Sequence, residues 1–160
     1  MTAQSSKEEI LKRVQQRGGD NLEAGLSNCA QSTLFALQED FEAVNDIPRE
    51  ALTTMSGIAM RGEVCGAVLG ALLALNMLTG RSPEAFGIAM RRATKFCDAF
   101  EKHFGSLRCS LIHPQLLGKT YYLADMAQLQ EFVEAGGLTK CRAPVETASK
   151  LVAEIVLGEE

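Results

Sequence analysis

The chain has 160 residues, enough for one hydrophobic core and too few for two comfortable domains. Apolar residues make up 46% and charged residues 22%, a globular balance that excludes disordered and collagen-like classes. The formal net charge of -4, from 16 basic and 20 acidic side chains, leaves no electrostatic footprint for DNA or an anionic membrane.

Ala and Leu occur 20 times each against 14 for Val and Ile together, which favours helix throughout. Ser6 and Glu9 form a capping-box pattern, and Ile10, Leu11 and Val14 predict a first helix ending near Gly18. The first 18 residues carry no apolar core, so neither a secretory signal nor a membrane anchor is expected and the chain is placed in the cytoplasm. Asn28 precedes a second helical pattern on Ala30, Leu34, Leu37, Phe41 and Val44. Pro48 opens a shorter helix that Gly57 stops, and Gly57 to Gly62 reads as a loop.

Glu63 to Leu78 has no charge after its first residue and predicts a central helix buried on all sides. It is too short for a bilayer, and Gly66 and Gly70, four apart, are expected to let a neighbouring backbone approach. Ser82-Pro83 starts a long helix with a stripe from Phe86 and Met90 through Phe96, Cys97 and Phe100 to Phe104, ended by Gly105. A short turn over Ser106 to Ile112 is interrupted at His113-Pro114. Helices follow over Thr120 to Ala135 and Pro144 to Leu157. The fold expected is all-α, a single compact helical bundle of about six to eight helices forming one domain over 1–160.

Five cysteines in a reducing compartment point to redox chemistry or metal binding rather than to permanent bridges. Cys29, Cys65, Cys109 and Cys141 all fall at or just before predicted helix starts, where unpaired N–H groups favour thiolate. Cys97 lies mid-helix among phenylalanines and reads as core. The gaps of 36, 44 and 32 residues contain no CxxC pair, so any site must be assembled by the fold. His103 and His113 lack a histidine or carboxylate partner at helical spacing and are expected in surface or packing roles. The glycines match neither dinucleotide nor phosphate loops. Arg91, Arg92, Lys95 and Lys102 read as a solvated face.

Asn28-Cys29-Ala30, then Cys65-Gly66-Ala67-Val68-Leu69-Gly70, then Phe104 to Cys109, and finally Lys140-Cys141 resemble the C-GCAxxG-C-C family of putative redox-active proteins over about residues 26–155. The resemblance implies a redox role carried by Cys29, Cys65, Cys109 and Cys141, with Cys97 outside the signature. Members tend to be richer in glycine before CGAxxG, where this chain has Ser56-Gly57-Ile58-Ala59-Met60-Arg61-Gly62.

The leading expectation is thiol-disulfide chemistry with Cys65 as nucleophile and Cys29, Cys109 and Cys141 as resolving thiols, served by a redox partner protein or a small thiol or disulfide. It requires no cofactor, and four cysteines leave three connectivities open. The competing expectations are a zinc or iron-sulfur site on the same four cysteines and a purely structural bundle.

Overall fold

The computed structural model describes residues 5–158. Among the described residues, eight right-handed α-helices span Lys7–Glu23 (α1), Cys29–Gln38 (α2), Gly66–Thr79 (α3), Ala85–Phe104 (α4), Cys109–Leu117 (α5), Met126–Glu134 (α6), Gly137–Lys140 (α7) and Arg142–Leu157 (α8). An isolated bridge between Val64 and Arg108 is the one β-type pairing among the described residues. The bundle centres on α2, α3 and α8, with α1 packed most extensively along α8 and α4 covering α3 and α8. Leu34, Leu37, Leu75, Phe96, Phe100, Val145 and Val152 are buried there, each stabilising by about 1.5–3 kcal/mol.

Ser6 accepts from the Glu9 N–H and Glu9 reaches back to the Ser6 N–H, closing the expected capping box. The helix nevertheless runs past Gly18 to Glu23. Both Gly18 and Gly19 face α8 so closely that a Cβ would overlap Ser149 and the Arg142-Glu146 pair. Packing thus overrides glycine's weak helix propensity. α2 stops at Gln38, short of Val44, because Asp40 turns back to pair with Arg13 and Arg17 of α1. The segment after Pro48 forms only a 3-10 turn, Arg49–Leu52.

The central helix is buried or half-buried all round through its first turns and reaches solvent only near its end, at Asn76 and Met77. Among the described residues no helix is long and apolar enough to cross a membrane. Along α4, Phe96, Phe100 and Phe104 are buried but Phe86 and Met90 are exposed, so the stripe reaches the core only in its second half. Arg92 does not simply face water. It donates to the Leu78 carbonyl and to Thr79 at the end of α3.

Two elements differ near the cysteines. α5 continues through Pro114 to Leu117. The Ser110 carbonyl, which loses a helical N–H to the proline, accepts from the Thr120 hydroxyl at 2.6 Å instead. The helix expected from Thr120 starts only at Met126, capped by Asp125, which accepts from the Gln128 N–H.

Gly57–Met60 coils left-handed rather than forming a plain loop: φ is 55° at Gly57, 50° at Ile58, 54° at Ala59 and 63° at Met60. Side chains crowd the carbonyl in this region, at a cost of about 1–2 kcal/mol per residue. The turn persists because Glu63 N–H donates to the Gly57 carbonyl and Ala124 N–H to the Met60 carbonyl. Ala59→Gly should therefore stabilise the protein by about 0.5–1 kcal/mol, relieved strain exceeding the added unfolded-state entropy. Urea denaturation checks it, and a destabilised variant would contradict the left-handed backbone at this position.

Candidate redox site

The segments before α3 and α5 are clasped together. Cys65 N–H donates to the Leu107 carbonyl at 2.8 Å, Cys109 N–H to the Glu63 carbonyl at 2.8 Å and Ser110 N–H to the Gly62 carbonyl at 3.0 Å. Arg108 pairs with Glu63 across the same seam at 2.7 Å. α2 is brought against the clasp by the glycines of CGAxxG, as the sequence spacing suggests. A Cβ on Gly70 would fall on the Ala30 carbonyl oxygen, and one on Gly66 would overlap the Cys29 sulfur.

Cys29, Cys65, Cys109 and Cys141 consequently line one cavity of about 150 Å³. Cys29 and Cys109 are the first residues of α2 and α5; Cys65 and Cys141 immediately precede α3 and α8. Cys97 is elsewhere, half-buried on α4 against the core. All five cysteines are free thiols.

Helix starts act on these sulfurs, but not as the sequence suggests. The Cys29 thiol is pulled down to about 6, chiefly by the Cys65 S–H donating to it. Burial opposes this, while Ser56 (Oγ 2.9 Å away), the Gly66 N–H and the residue's own N–H add further hydrogen bonds. The sulfur thus sits at the N-terminal ends of both α2 and α3. Cys65 is the donor in this pair, and its thiol is raised by that role, by burial and by the charge on Cys29. The opening N–H of α3 is thus directed at Cys29, its neighbour from α2, rather than at Cys65, its own cap. Burial and the Cys29 charge push the Cys109 thiol up to about 12. Cys141 is raised by burial and by the charges of Cys29 and Cys109.

His113 was expected to pack or face solvent; it is buried and lines the cavity. Tyr121 N–H donates to its Nδ1 at 3.3 Å, which leaves the neutral ring's proton on Nε2, 3.2 Å from Cys109 Sγ. Burial holds the ring neutral. Phe132 stacks on it at 5.3 Å, so the ring is oriented as a donor to the Cys109 sulfur. The four-residue spacing of Cys109 and His113 was the signal that places both on one helix face. Ser56, the hydroxyl partner of Cys29, had no such signal.

Among the described residues no group of three or more His, Cys, Asp or Glu side chains is placed to hold a metal ion. Cys29 is engaged by Cys65 and Ser56, while Cys109 is engaged by His113.

Residues 27–155 match the model of a family described as "Putative redox-active protein (C_GCAxxG_C_C)". The chain belongs to the C_GCAxxG_C_C family. No curated protein and no solved structure matches it. In this C_GCAxxG_C_C protein, the glycines of CGAxxG bring α2 and α3 close enough for Cys29 to meet Cys65.

Proposed function

We propose that this protein performs thiol-disulfide exchange with Cys29 as the attacking thiolate and Cys65 as the resolving thiol. The observation that carries this reading is the seating of the Cys29 sulfur at the start of α3, with Ser56 Oγ 2.9 Å away and Gly66, next to Cys65, so close that a Cβ there would overlap it; this setting lowers the Cys29 thiol. It populates the nucleophile at neutral pH and holds the second sulfur beside it. Cys109 and Cys141, raised by burial, are reserve thiols that could take the disulfide onward. A redox partner protein or a small thiol in the cytoplasm would reduce the resulting disulfide; the five free thiols suit that compartment.

Treatment with excess dimethyl disulfide tests the assignment. Wild-type protein should finish with a Cys29–Cys65 bond, whereas Cys65→Ser should retain a methylthio adduct on Cys29, both read by peptide mass spectrometry. An adduct on Cys65, or a bond joining a different pair, would overturn it.

A further inference from the structure

Among the described residues, no Asp, Glu, Lys or Arg lines the cavity over Cys29. Its wall is built largely from Leu22, Ile112, Leu129, Phe132, Leu138 and Pro144. The polar groups around it are already engaged: Asn28 caps α2 and donates to the Leu52 and Thr53 carbonyls, while Ser27 bonds Asn21 and Ser32. A nearby cation, Lys119, lies over the Tyr121 ring and is paired with Glu131. Met60, in the left-handed turn, lines the cavity while keeping 38% of its surface exposed.

Apolar space of about 150 Å³ accepts a molecule of roughly benzene's size. A charged group entering it would lose its hydration and find no counter-ion beyond the reacting Cys29 thiolate, which itself repels an anion. We propose that the substrates of this site are small, neutral, apolar disulfides and related sulfur electrophiles, and that charged disulfides, including those of acidic peptides, are turned away by the uncharged lining. This rests on Cys29 being the attacking thiol.

The exchange balances as follows. The Cys29 thiolate attacks one sulfur of R–S–S–R′, the S–S bond breaks, and RS⁻ leaves with the electron pair and takes a proton from water. The Cys65 sulfur then attacks Cys29 Sγ and gives its proton to the departing R′S⁻. The two cysteines are oxidised by two electrons and the substrate is reduced to two thiols.

Three methanethiosulfonates of different charge provide the test: the neutral methyl reagent, a sulfonate-bearing one and a trimethylammonium-bearing one. Each rate at Cys29 of the native wild-type chain is divided by its rate at the same cysteine in denaturant, which removes intrinsic reagent differences. The neutral reagent should then be favoured over both charged ones by at least about tenfold, reflecting the cost of bringing an unpaired charge into apolar surroundings. Equal normalised rates for either charged reagent would overturn the substrate class. Failure of the exchange reading has a different signature: the methylthio adduct on Cys29 would persist in the wild type, unresolved by Cys65, whatever the charge selectivity.

Discussion

Replacing Cys65 by alanine should raise the pH at which Cys29 ionises from about 6 toward the ordinary thiol range, since the largest influence lowering it is the Cys65 S–H. In the wild type, iodoacetamide labelling of Cys29 should be half-maximal near pH 6 and level above neutrality. In the variant it should still be climbing at pH 8, and at pH 7 it should be slower by about tenfold, as the thiolate falls toward a few per cent. An unchanged midpoint would remove Cys65 from the ionisation of Cys29. Cys97 supplies the slow reference in the same digest, because burial and the nearby Glu101 and Asp98 raise its thiol. The sign for stability follows from the same shift. Folding lowers the Cys29 value, so the thiolate favours the native state fully above the ordinary thiol range, and that contribution is lost as pH falls through about 6.

Gly70→Ala should destabilise the fold by about 2–3 kcal/mol, because the added methyl falls on backbone, the Ala30 carbonyl oxygen, and two central helices must part to admit it. Gly87→Ala should do the opposite. In α4 the nearest foreign atom to its new methyl would be an Arg91 nitrogen at 3.5 Å, so the substitution should gain about 0.5–1 kcal/mol from lower backbone entropy. Thermal unfolding separates the two, with the first variant's Tm lowered by roughly 5–10 °C and the second's slightly raised. A neutral Gly70→Ala would contradict the close packing of α2 on α3.

The helical class, the capping residues Ser6 and Asn28, the close approach at Gly66 and Gly70 and the separation of Cys97 from the other cysteines were legible because each depends on local spacing. Boundaries set by distant groups were not. Gly18 is helical because α8 covers it, and Pro114 is tolerated because Thr120 supplies the missing hydrogen bond. The site divides in the same way. That four cysteines stand at helix starts could be read from Asn28, Gly62 and Pro144; which sulfur receives the N–H groups of α3 could not, since Cys29 reaches them from another helix.

The gaps of 36, 44 and 32 residues between the four cavity cysteines have a consequence for biogenesis. A nucleophile held in a contiguous CxxC pair can acquire its character once a short segment has folded. Here the low thiol value of Cys29 depends on Cys65, Ser56 and Gly66, and the cavity wall is completed only by Leu138, Cys141 and Pro144 near the far end of the chain. Closing such distant contacts comes late and cooperatively. An emerging or unfolded chain therefore carries five ordinary, mostly protonated thiols, and the reactive sulfur appears together with the apolar chamber that restricts what can reach it.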